Sequence, residues 1–130
     1  MPTSNTGAPY LGQNVAEPEI PHNEALDVLD AAIAGQLYID MIVNTDYSLD
    51  NTSLTYPQEW QHGILIVNPV AHTQVTNIIA PAGSTMKYVV NNSSGGGFDV
   101  VIQQGGVGVS VPDGAIYQVY CDGVDVRRIT

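Results

Sequence analysis

The groups in this 130-residue chain that could do chemistry are few, and their spacing argues against most of it. His22, His62 and His72 are its three histidines. A metal site wants two or three closely spaced ligands, such as a His pair at i and i+4 on a helix. His62 and His72 instead stand ten apart across the apolar run "ILIVN", and His22 opens a helix-like stretch. No metal site is expected. The G-x-S-x-G elbow of serine hydrolases is absent. "SSGGGFD" (93–99) has three glycines but lacks the P-loop lysine, and it precedes a strand-like run. "GGVG" (105–108) does the same, so both read as hairpin loops and not as phosphate cradles. The carboxylates could supply an acid/base pair of the glycosidase kind. Glu24, Asp27 and Asp30, however, fall on one expected helix face, and Asp40, Asp46, Asp50 and Glu59 do not follow the EF-hand pattern. The expectation is a protein with no catalytic residues and no cofactor, and therefore not an enzyme.

Aromatic residues offer a second kind of chemistry. Tyr47, Tyr56 and Trp60 lie in a polar stretch, residues 44–63, and Tyr88, Tyr117 and Tyr120 in strand-like runs. Aromatic platforms beside polar loops bind sugars, which makes Tyr56 and Trp60 candidates for a glycan or partner contact. The alternative is that these rings anchor the loop to the body or to a neighbouring chain.

Composition narrows the partners. The formal net charge is −10, with 13 acidic residues against 3 lysines and arginines. Phosphate binding needs Lys and Arg, so nucleic acid is excluded as a partner, and an anionic membrane surface is disfavoured. No apolar run approaches the length of a membrane span. The start "MPTSNTGAPYLGQN" lacks the basic and apolar regions of a signal peptide, so synthesis in a cytoplasm and assembly there are expected. Nine acidic residues fall between Glu17 and Glu59, and the first basic residue is Lys87. Such asymmetry reads either as a solvated acidic surface or as a segment complementary to a basic partner. Cys121 is the only cysteine, and its alternating flanks "YQVYCDG" suggest a small buried thiol.

The elements that would position these groups divide the chain in two. Residues 1–21 have no period; Pro2, Pro9, Pro18 and Pro21 favour extended backbone. Tyr10, Leu11, Val15 and Ile20 give this arm apolar anchors, so it reads as a docking arm. "EIPHNEALDVLDAAIAG" (19–35) reads as a short helix with Pro21 in the first turn and Gly35 at its end. Leu26, Leu29 and Ile33 form one apolar stripe, with Ala25 and Ala32 beside them and Glu24, Asp27 and Asp30 opposite. Stripes of this kind ordinarily face the protein's own core. From residue 36 the pattern is β: runs at 36–43, 63–68, 74–80, 86–92, 98–103, 107–111, 115–121 and 125–129, separated by Gly or Pro signals. This predicts a mainly β chain, a small jelly-roll-like β-sandwich (36–130) behind an extended arm and one short α-helix (1–35). "VPDGA" is the clearest hairpin signal.

Two stretches carry a resemblance. "PYLGQNVAEPEIPHNEALDVLDAAIAG" (9–35) resembles the N-terminal module of a family of tailed-phage and gene-transfer-agent virion proteins, matched by His22, Asn23, Glu24, Ala25 and Leu26 and continued by Leu29 and Asp30. "GVGVSVPDGAIYQVYCDGVDVRRI" (106–129) is similar to β-modules of phage tail-fibre and other virion surface proteins. The resemblance implies a virion structural protein whose arm and helix attach it. No fibre shaft or coiled coil follows, which favours a small capsid decoration, or cement, protein over a receptor-binding fibre. Its implied partners are the major capsid protein or another virion protein, and sister subunits in a homo-oligomer, with a trimer favoured. Tyr10, Leu11, Ile20, Leu26, Leu29 and Ile33 would make the contacts. The alternative is a tail-fibre or head-fibre base or adaptor, with possible glycan binding.

Overall fold

The computed structural model describes residues 19–129. Helix α1 (Glu19–Ala34) leads into strands β1 (Gln36–Ile39), β2 (Tyr47–Ser48), β3 (Ile64–Val67), β4 (Thr76–Ile79) and β5 (Lys87–Asn92). These are followed by β6 (Val100–Gln103), β7 (Val109–Val111), β8 (Ile116–Cys121) and β9 (Val126–Arg128), with a 3-10 turn at Glu59–Gln61 before β3. The strands form a five-stranded sheet, in the order β1-β3-β5-β8-β9, and a four-stranded sheet, β2-β4-β6-β7. The two pack as a sandwich over one core that includes Ile39, Leu65, Val67, Ile78, Val90 and Ile102. Every strand-like run of the sequence forms a strand. The two-residue β2, inside the polar loop, is the addition.

The chain alternates between the sheets. β1, β3 and β5 stack in parallel in one sheet, and β2, β4 and β6 in the other. The last three strands close the sheets antiparallel. Parallel neighbours require a crossover, and here each crossover carries a strand of the opposite sheet. The building unit is therefore a two-strand rung and not the antiparallel hairpin of a jelly roll. "SSGGG" and "VPDGA" accordingly pass from one sheet to the other, and the hairpins are the β6–β7 and β8–β9 turns. In the second crossing the Ala115 N–H donates to the Pro112 carbonyl at 2.9 Å. Gly114 sits between them at φ +80°, a conformation that favours glycine.

Buried Asn92 ties the sheets together. Its Nδ2 donates to the carbonyls of Val111 (2.8 Å) and Phe98 (3.2 Å), and its Oδ1 accepts from Ser94 Oγ (2.7 Å). Cys121 is buried as expected, and burial, then the nearby Asp122 carboxylate, pushes its thiol up to about 11.

Helix α1 meets the body with its small side. Val28 and Ala31 are buried, and Ala32 packs on the core. A Cβ on Gly63 would lie 2.2 Å from the Ala32 carbonyl oxygen, so helix and β3 backbone approach each other where only glycine fits. The N–H groups of Gly63 and Gly35 both donate to the Ala31 carbonyl at 2.9 Å, which ends the helix and fastens it to the sheet.

Candidate docking surfaces and a loop pocket

That close approach decides which face of α1 is left outside. At 100° per residue, Val28 and Ala31 point roughly opposite to Leu26, Leu29 and Ile33. Those three are exposed, at 51%, 43% and 80%. The stripe does not face the protein's own core, the ordinary outcome for its pattern, because backbone contact at Gly63 selects alanine and valine over leucine. The carboxylates are also placed differently from the expected opposite face. Asp30 is exposed beside the ridge, Asp27 is exposed on the flank between Asp30 and the packed side, and Glu24 is half-buried on the packed side. Tyr10 and Leu11 lie outside the described residues; Ile20 lies in the first turn of α1, with its side chain outside the description.

A second apolar surface was not anticipated. In the five-stranded sheet the inward positions are buried, as period-two alternation demands. The outward positions include Tyr38, Ile64, Ile66, Val89, Ile116 and Tyr120. Tyr38 and Ile116 are 59% and 61% exposed. Register sets Tyr38 beside Ile66 and Ile64 beside Val89, an apolar cluster on β1, β3 and β5, while on β8 Ile116 lies beside Asn91, Gln118 beside Val89 and Tyr120 beside Lys87. The signal was present in the sequence as strands apolar at both parities, a pattern that ordinarily means burial on both faces.

Tyr56 and Trp60 are brought to one pocket of about 380 Å³, lined also by Asn51, Gln58 and the turn from Pro81 to Ser84. The loop that forms it is locked. Trp60 is 9% exposed, and its Nε1 donates to Gln58 Oε1 at 2.7 Å. Gln58 Nε2 donates to the Ser53 carbonyl (2.6 Å), and the Tyr88 hydroxyl donates to the Trp60 carbonyl. The Tyr56–Pro57 peptide is cis. Glu59 takes the Tyr47 hydroxyl (2.7 Å) and the Asp50 N–H (2.9 Å). Burial, then the hydrogen bond and charge of Glu59, push Tyr47 up to about 12. Trp60 is thus an anchor of the loop; Tyr56 is the ring that is only half-buried.

Many carboxylates serve the fold. Asp113 accepts from the Gly95 and Gly97 N–H groups, 2.9 Å each, so the glycine loop's donors meet the chain's own anion. Asp122 accepts from the N–H groups of Val124 (3.0 Å) and Asp125 (2.7 Å), and Asp125 from Val107 (2.8 Å). Asp46 accepts from Asn77 (2.9 Å). By contrast, Asp27 and Asp30 hold no hydrogen bond or ion pair to the described residues. Part of the acidic excess is turn chemistry, to which Asp27 and Asp30 on the helix do not belong.

Among the described residues no group of three or more His, Cys, Asp or Glu could hold a metal, and no helix is long and apolar enough to cross a membrane. His72 is buried, with its Nδ1 accepting from the Asn44 N–H at 2.9 Å, and His62 Nδ1 lies against the Gln58 carbonyl at 3.1 Å. No protein-family model, curated protein or solved structure matches the chain.

Proposed function

We propose that this protein is a virion structural protein, a capsid decoration protein that docks through its N-terminal segment and helix α1. The observation that carries the reading is the outward ridge of Leu26, Leu29 and Ile33, on the helix that directly follows the anchor-bearing segment. Burying such side chains contributes about 1.5–3 kcal/mol each. Over many copies on a shell, modest contacts of this size sum to a large resistance to internal pressure. The resemblance of residues 9–35 and 106–129 to virion modules supports the particle as the setting, with the major capsid protein or another virion protein as partner.

Purified protein mixed with particles lacking it should cosediment. Removal of residues 1–18, or Leu29→Glu with Ile33→Glu, should abolish cosedimentation while far-UV circular dichroism is unchanged. Retention of binding by both variants would falsify the docking reading.

A fibre-base reading with glycan binding is favoured by one observation, the meeting of Tyr56 and Trp60 at one pocket. Glycan-array binding by the purified chain, lost in Tyr56→Ala, would move the assignment there.

A further inference from the structure

We propose that the outer face of the five-stranded sheet is the seat for helix α1 of a second copy of this chain, in a head-to-tail contact. The proposal rests on the reading above that the ridge is a contact surface; it gives the ridge to a sister subunit and leaves the segment before α1 to the shell.

Charge identifies the occupant. The chain has 13 acidic residues, yet no outward position on these five strands is a carboxylate. The charged groups there are Lys87 and Arg127, set on either side of Tyr120 by the register. They are two of the three basic residues in the sequence. Asp122 and Asp125 offset Arg127 there, so the face offers one cation without a carboxylate partner among the described residues, Lys87, which fits a partner that is apolar and carries an unpaired carboxylate. The α1 ridge is such a surface, with exposed Asp30 beside Leu26 and Ile33.

Like-to-like pairing fails on the same ground. Face on face would join two surfaces whose unpaired charge is Lys87, and ridge on ridge two surfaces bordered by carboxylates, so neither brings opposite unpaired charges together. Head-to-tail contact is the arrangement that joins unlike charges, and such contacts form rings when the rotation closes. Arg127 already pairs with Asp122 (3.3 Å) and Asp125 (3.5 Å) of its own chain, so Lys87 is the charge available to a partner. Dimensions agree. The 16-residue α1 is about 24 Å long at 1.5 Å per residue. Five strands at about 4.8 Å spacing span about 19 Å.

The test exploits the two different halves of a head-to-tail contact. Light scattering on the full chain should show an assembly. Leu29→Glu with Ile33→Glu (ridge broken), and Lys87→Glu with Ile116→Glu (face broken), should each weaken it at least about 30-fold. All four positions are exposed, so circular dichroism should be unchanged. Mixing the two variants leaves one intact ridge and one intact face, and should yield a 1:1 dimer. Lys87→Glu alone should weaken association about 5-fold, with recovery on adding Asp30→Lys. A monomeric native chain, an assembly indifferent to the face variants, or a mixture that stays monomeric overturns the seat. If the native chain is monomeric but the ridge variants lose particle binding, the seat fails and the decoration reading stands. If the chain assembles while the ridge variants still bind particles, the seat stands and ridge docking on the shell fails.

Discussion

The two sheets of one sandwich turn different surfaces outward. On the four-stranded sheet four of the six outward positions are polar, Ser48, Asn77, Gln103 and Ser110 beside Ile79 and Val101, a set typical of a solvated face. On the five-stranded sheet six of eleven outward positions are apolar or aromatic (Tyr38, Ile64, Ile66, Val89, Ile116 and Tyr120), and four of these gather on β1, β3 and β5. Both inner faces are built alike, from buried and mostly apolar residues at every second position. Folding therefore does not require the difference, because inward residues alone make the core. An apolar outer face is a liability for a free chain. It is explained if something covers it, and the α1 ridge repeats the pattern on a smaller scale.

The comparison breaks first at neighbouring residues of one strand. Leu65 points into the core and Ile66 outward. Leu65→Ala should lower unfolding stability by about 2–5 kcal/mol, and Ile66→Ala by less than about 1.5, in denaturant titrations of the dissociated chain. Equal losses would mean that the outer face is part of the core after all. Asn92→Ala leaves the Val111 carbonyl without its donor across the sheets, and about 1–3 kcal/mol should be lost. Gly63→Ala places a methyl group against the Ala32 carbonyl and should cost about 1–3 kcal/mol. Hydrogen exchange should then rise in α1 before it rises in β4 or β6.

Titration gives the smallest effects. Tyr47 loses its proton at about 12 in place of 10.0, and a group raised by folding contributes stability below its unfolded value. That contribution is lost as the pH climbs from about 10 to about 12, and Tyr47→Phe should flatten this limb of the stability curve. Asp122 behaves oppositely. Hydrogen bonds from the Asp125 and Val124 N–H groups hold its carboxyl below the ordinary 3.8. Its contribution is present above that value and is lost as the pH falls through the lowered one. Asp122→Asn should therefore shallow the acid limb while leaving the alkaline limb unchanged.

Much of the fold was legible from local pattern. Alternation marked the strands from Leu65 to Val126, Gly35 marked the helix end, and the flanks of Cys121 marked a buried thiol. Strand partners were not legible. "VPDGA" reads as a hairpin because turn chemistry is local, whereas the sheet that β8 joins is a long-range choice. β2 was hidden because two residues carry no period. For the sites, the sequence identified Leu26, Leu29 and Ile33 as one stripe and Tyr56 and Trp60 as loop aromatics, but not their surroundings. Trp60 proved an anchor, since its indole N–H finds Gln58 inside the loop.

Residue type and order by themselves determined that this is a small acidic chain of one helix and many short strands. Hydrophobic period and backbone propensity act over a few residues, so no folding is needed to read them. Only the tertiary structure decided which side of α1 lies outside and that the apolar outward residues of β1, β3 and β5 gather on one sheet's outer face. Both follow from backbone packing between distant segments: the contact of Gly63 with Ala32 and the parallel register of β1, β3 and β5. No local pattern encodes how close two backbones come.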